Sequence, residues 1–142
     1  KTMSDMDTAR RCADAMLAND RSAKLLGISV DVTAPGEAEA RMTVRDNMVN
    51  GFDVLHGGLT FALADTAFAF ACNSYNERSF AASGHVDFLR PVLLGDELTA
   101  HASEDHRGRR SGYYTVRVVN QRAELVALFR GRSAGTGEPC VT

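Results

Sequence analysis

The chain has 142 residues, 44% of them hydrophobic and 24% charged, ordinary usage for a globular protein that excludes a disordered tail or a disulfide-knotted miniprotein. Sixteen basic side chains against eighteen acidic ones leave a formal charge of −2, which gives no electrostatic footprint for nucleic acid or an anionic membrane, so neither is an expected partner. The longest apolar stretch, residues 66–72, falls far short of the roughly 20 residues that cross a bilayer.

No basic-then-apolar leader opens the sequence. Cys12, Cys72 and Cys140 are odd in number and show no C-x-x-C spacing, so neither a disulfide framework nor a zinc ribbon is expected. The reading is one domain over residues 1–142, cytoplasmic, with free thiols.

Residues 4–19 place Met6, Ala9, Ala13, Met16 and Leu17 at helical spacing behind Ser and Asp caps, which predicts an amphipathic N-terminal helix. Asp20 caps one further turn ending at Gly27. Ile28, Val30 and Val32 then alternate with polar residues, Pro35-Gly36 turns the chain, and Ala38, Ala40, Met42 and Val44 continue the alternation, giving a first hairpin. Residues 45–55 have no period and form a loop. From Gly57-Gly58 to Asn76 the run LTFALADTAFAFACNSYN is apolar on nearly every face, so it predicts a helix buried all round. Four strand-like runs follow, at 80–90, 97–106, 113–120 and 125–133. Helix, two strands, buried helix and four strands suit an α+β domain whose antiparallel sheet wraps a long central helix, the hotdog arrangement, with its core at about residues 27–133.

Asp65 is out of place in that helix. A carboxylate among Leu, Ala, Phe and Cys is expensive to desolvate; it is either bonded to a neighbouring strand's backbone or lines a cleft with its acidity tuned by burial. His56-Gly57-Gly58 opens the same helix, where free N–H groups and the helix dipole favour negative charge and glycines allow close approach. That is the outline of an oxyanion hole. Gly57 and Asp65 are eight residues apart, roughly 12 Å along a helix, whereas an attacking group must come within about 3.5 Å of a carbonyl carbon. One protomer's pair cannot serve one substrate. Two antiparallel helices about a two-fold axis bring Gly57 of one chain toward Asp65 of the other, so the chemistry implies at least a dimer.

The segment NGFDVLHGGLTFALADTAFAFACNS (residues 50–74), with HVDFLRP (85–91), GDELTA (95–100) and VVNQRAELVALFRGRS (118–133), resembles the phenylacetate-pathway acyl-CoA thioesterases of the hotdog superfamily. The resemblance implies Asp65 as the catalytic carboxylate, acting as base on water or attacking the thioester itself. It implies Gly57 as donor of the N–H that polarises the thioester carbonyl, with Gly58 beside it, and Asn50 and His56 as residues ordering the loop and the reacting groups. It further implies an acyl-CoA substrate of phenylacetyl or hydroxyphenylacetyl type, a dimer of dimers, and neither a metal nor a separate cofactor. GFDVL between Asn50 and His56, and Gly84-His85, depart from the group's pattern, and these positions bear on the choice of acyl group.

Arg107, Arg109 and Arg110 cluster in a glycine-containing turn and Arg90 precedes Pro91. Each is a candidate for holding coenzyme A phosphates, and each suits a solvated turn or a strand end equally. Phe61, Phe68 and Phe70 at helical spacing read as core. Ser74 and Ser79 lack a G-x-S-x-G setting, and no histidine pair has zinc spacing. Two other functions compete: a non-catalytic acyl-CoA sensor, and a hotdog enoyl-CoA hydratase. A hydratase would resemble D-x-x-x-x-H, but Phe70 stands five residues beyond Asp65.

Overall fold

The computed structural model describes residues 4–142, so the first three residues of the expected domain lie outside it. Ser4 caps α1 (Asp5–Ala18) by accepting the Asp7 N–H, and the helix buries Ala9, Cys12 and Ala13. Asp20 caps the short α2 (Arg21–Leu26) through the Ala23 N–H. Gly27 closes it at φ 68°, in the left-handed region where a side chain would be strained. β1 (Ser29–Ala34) and β2 (Glu37–Thr43) form the expected hairpin. A loop with one 3₁₀ turn leads to α3 (Gly57–Cys72), followed by β3 (Ser79–Phe88), β4 (Glu97–Arg107), β5 (Ser111–Val119) and β6 (Leu125–Gly135).

All strand pairs are antiparallel, in one sheet ordered β1-β2-β4-β5-β6-β3 around α3. This is the hotdog fold. The helix sits close to the sheet because the sheet offers small residues where it lies. Ala38 pairs with Ala102 and Ala40 with Ala100 on β2 and β4, and all four are buried. At the other side Gly84 of β3 pairs with Gly131 of β6. A Cβ at Gly131 would stand 2.9 Å from the rings of Phe68 and Phe129, and one at Gly84 would stand 3.1 Å from Phe129 and 3.2 Å from Phe61. Those rings fill the space the two glycines leave, and Phe61 and Phe68 each pack against Phe129 edge-on or tilted.

Several boundaries differ by a few residues from the sequence reading, two of them for evident local reasons. α3 ends at Cys72 and not at Asn76, because Asn73 turns its amide to the far strand: Nδ2 donates to the Ala69 and Ser79 carbonyls, and Oδ1 accepts the Ser79 N–H at 2.8 Å. β3 stops at Phe88, ahead of Pro91, which has no N–H to continue a ladder. A third difference matters more. α3 is not buried all round: Leu63, Ala64, Ala67, Phe68, Phe70 and Ala71 are covered by the sheet, but the stripe of Phe61, Ala62, Asp65, Thr66 and Ala69 stays half-open. Apart from Asp65 and Thr66 the open stripe is itself built of apolar residues, so the sequence pattern carries little contrast between covered and uncovered faces.

β3 forms one edge of the sheet and is exposed along most of its length. Among the described residues no helix is long and apolar enough to cross a membrane.

Candidate active site

His56 is the N-cap of α3, and its Nδ1 accepts the Gly58 N–H at 2.9 Å. That bond places the ring proton on Nε2. The Leu59 N–H reaches the His56 carbonyl at 2.9 Å. Of the groups opening the helix, the Gly57 N–H is left without an acceptor among the described residues. It lies at a cleft of about 470 Å³ lined by Gly57, Thr60, Val54, Phe88, Pro91 and Val92, among others. The Phe88 ring rests directly on Gly57: a Cβ there would be 3.0 Å from its Cζ. An unpaired N–H at a helix N-terminus, in an apolar cleft, is arranged to meet a developing negative charge.

Asn50 orders the approach to that end. Its Oδ1 accepts the Phe52 N–H at 2.9 Å and the Val54 N–H at 3.3 Å, and its own N–H reaches the Val54 carbonyl at 2.8 Å. A tight loop with Asp53 at φ 58° results. Asn50 and His56 therefore both act on the segment that enters the helix.

Asp65 lies one helix run away, on the half-open stripe. Its carboxylate has no hydrogen bond or ion pair among the described residues. Bonding to a neighbouring strand's backbone, one of its two readings, is thereby excluded. Thr66 beside it turns its hydroxyl back to the Ala62 carbonyl at 2.7 Å and offers no partner. Burial without a partner raises the Asp65 carboxyl above the ordinary carboxylate range. The thiol of Cys72, the other reactive group of this helix, is pushed up by burial to about 12, far from a nucleophile at neutral pH.

A single unbroken helix joins Gly57 and Asp65, so the separation of roughly 12 Å holds within one protomer. The arginines separate into two groups. Arg90 lines the Gly57 cleft, but its Nη1 is engaged by Glu124. Hydrogen bonds from Asn120 and Arg122 hold the Glu124 carboxyl below its usual range, with the Arg90 charge adding to the effect. Arg107, Arg109 and Arg110 sit at the other end of α3, beside Cys72 and Glu77. There the Arg107 guanidinium lies 3.9 Å from the centre of the Tyr75 ring and 3.9 Å from the Glu77 carboxylate. Sequence reasoning overlooked Phe88 as part of the site, although its motif, DFLRP, was in view.

Residues 52–127 match the Thioesterase superfamily. An acyl-coenzyme A thioesterase from Escherichia coli (strain K12), PaaI, is 48% identical over 88% of this chain and 89% of its own length. The chain belongs to the thioesterase superfamily. Within that superfamily, the structure of the E. coli PaaI protein from the phenylacetic acid degradation operon superposes with a TM-score of 0.93 at 46% identity, covering 96% of this chain and 99% of that one. A mutant of the phenylacetic acid degradation protein PaaI from Thermus thermophilus superposes at 0.77 with 38% identity, covering 81% and 98%. This chain is thus an enzyme of the thioesterase superfamily, a homologue of an acyl-CoA thioesterase.

Proposed function

We propose that the protein hydrolyses acyl-CoA thioesters carrying a neutral aromatic acyl group of the phenylacetyl or hydroxyphenylacetyl type, at sites shared between two copies of the chain. The observation that carries the reading is the pair of unpartnered groups on one helix, the Gly57 N–H and the Asp65 carboxylate. Each lacks a local partner, and the helix holds them too far apart to meet.

A two-fold axis supplies both deficits at once. β3 is an exposed edge strand and α3 presents a half-open stripe on the side away from the sheet; antiparallel pairing of two β3 edges sets the two stripes face to face. Gly57 of one copy then faces Asp65 of the other, giving two sites per dimer, and two such dimers associate as the resemblance implies. In each site the Gly57 N–H takes the charge that develops on the thioester oxygen, a contribution of about 3 to 4 kcal/mol to the barrier for such a donor. Asp65 draws the proton from water or attacks the carbonyl carbon, a positioned group contributing about 100-fold to 10,000-fold. The thiolate of coenzyme A leaves readily, so no cofactor or metal is required. The cleft at Gly57 is apolar, with its one cation tied to Glu124, which suits an uncharged acyl group. An acyl-CoA sensor has no use for a partnerless carboxylate at that place.

The test mixes two inactive variants. Asp65→Asn and Gly57→Pro, each prepared alone, lose at least about 100-fold in thiol release from phenylacetyl-CoA. Unfolded and refolded together, they regain about a quarter of wild-type turnover, because each mixed dimer holds one intact site. No recovery, with mixed dimers present by mass spectrometry, defeats the shared site.

A further inference from the structure

Six polar side chains are buried among the described residues: Thr60, Asn73, Ser74, Asp96, Asn120 and Ser133. Five are hydrogen-bonded. Asn73 holds Ser79, Ser74 donates to the Ala71 carbonyl, Asp96 accepts from the Leu93 N–H and from Gln121 Nε2, Asn120 meets Glu124 and Arg122, and Ser133 Oγ accepts the Gly112 N–H. Thr60 is the exception. Its residue is 3% exposed, yet its hydroxyl has no hydrogen-bond partner among the described residues.

A threonine inside a helix commonly turns its hydroxyl back to the carbonyl four residues earlier, as Thr66 does to Ala62 at 2.7 Å. Thr60, with His56 four residues before it, forgoes that bond. A hydroxyl shut away from water without a partner is costly. No polar side-chain atom of the described residues is sealed off in that state, so the Thr60 oxygen opens on the Gly57 cleft, which it lines.

That cleft has depth. Leu55, Thr60, Val92 and Val126 are buried and make its floor, whereas Phe88, Leu89 and Pro91 are exposed and make its rim, with half-buried Gly57 between. Thr60 stands three residues beyond Gly57, about 4.5 Å along α3 and on the same side of the helix. An acyl group whose thioester oxygen rests on the Gly57 N–H reaches down to a floor of aliphatic side chains and one hydroxyl. No charge lies there, since the cation of the cleft, Arg90, is on the exposed rim and engaged by Glu124. A hydroxyl both donates and accepts, so a neutral group that does the same, such as a phenol, is its match.

We propose that Thr60 is a specificity-determining residue, its hydroxyl pairing with a ring hydroxyl on the acyl group, so that a hydroxyphenylacetyl thioester is preferred to the phenylacetyl one. This rests on the aryl-acyl reading above and narrows it. An unsubstituted ring lying on the floor leaves the Thr60 hydroxyl covered and unpaired, a penalty that the ring hydroxyl removes.

The experiment compares kcat/KM for phenylacetyl-CoA and its ortho-, meta- and para-hydroxy derivatives in wild type and in Thr60→Val, which keeps the shape of the side chain and deletes its hydroxyl. Wild type favours one hydroxylated isomer by about 10-fold. Thr60→Val erases that preference from both sides, lowering the favoured isomer and raising the unsubstituted ester, whose ring no longer covers an unpaired hydroxyl. Thr60→Ser, which returns the hydroxyl, returns the preference. Should Thr60→Val fail to fold by circular dichroism, Thr60→Ala makes the same comparison with Thr60→Ser. A purely structural role lowers every ester together and leaves their ratios alone, and that result overturns the inference. Brisk aryl turnover in wild type with equal rates for plain and hydroxylated rings overturns it too, with the aryl-acyl reading left standing. Hydrolysis of straight-chain esters without any aryl turnover sinks both.

Discussion

The two ends of α3 treat their polar groups in opposite ways. At the C-terminal end polar groups are saturated: Ser74 Oγ donates to the Ala71 carbonyl at 2.7 Å and accepts the Gly36 N–H at 2.7 Å. There also Glu104 receives the hydroxyls of Tyr75 and Tyr114, each at 2.9 Å. Burial and the Glu104 bond push the Tyr75 hydroxyl up to about 12 and the Tyr114 hydroxyl in the same direction. Toward the N-terminal end the Gly57 N–H and the Asp65 carboxylate are left with nothing. One end spends its hydrogen bonds on fixing the helix to the sheet, and the other leaves its groups open. A fold held firmly at one place tolerates unsatisfied groups at another.

The sharpest way to break the contrast is Asp65→Asn. Turnover falls by at least about 100-fold with substrate binding largely kept, while the folded chain gains stability at neutral pH. The sign follows from the raised carboxyl. A group that is harder to ionise in the folded state contributes stability below its unfolded value and loses it as pH climbs through the folded one, and asparagine carries no such loss. Melting temperatures of the two proteins therefore converge below about pH 4 and separate at pH 7 in favour of the variant. The same shift places the acid limb of the wild-type kcat/KM profile above the ordinary aspartate range, activity rising with pH as Asp65 ionises.

Glu104→Ala attacks the saturated end. It strands two tyrosine hydroxyls, and chemical denaturation shows a loss of about 2 to 4 kcal/mol, with kcat per folded molecule unchanged. Phe88→Ala removes the ring resting on Gly57. A substrate panel then shows kcat/KM for phenylacetyl-CoA reduced about 10-fold relative to straight-chain esters, the scale of one altered apolar contact surface. The smallest effect belongs to Arg107→Ala, which costs about 0.5 to 1 kcal/mol through the lost Tyr75 contact and leaves KM for the acyl-CoA within a factor of about two.

Much of this was legible in the residues because it is local. Ser4, Asp20 and Gly27 punctuate the first third of the chain through bonds made within a few positions, and Pro35-Gly36 turns β1 into β2. Period-two alternation places β1 and β2, strand-like runs between turns place β3 to β6, and Asp65 and Gly57 stand out by their company. What escaped depends on partners distant in sequence. Asn73 ends α3 by bonding across to Ser79, Arg107 is held by Tyr75, and Phe88 reaches Gly57 from another element. The half-open stripe escaped for another reason, since Ala62 and Ala69 look the same facing a sheet or facing outward.

β3 offers ten residues of backbone along a free margin, with Phe80 and Phe88 uncovered beside it. A ribbon of that length accepts any extended peptide that comes within reach, and a correct twin is the one guest that also shields the rings and ends further growth. In the dimer proposed above, self-association is protection against clumping as much as a means to turnover. Dilution that parts the copies of that proposed dimer would strip away catalysis and colloidal safety in the same step.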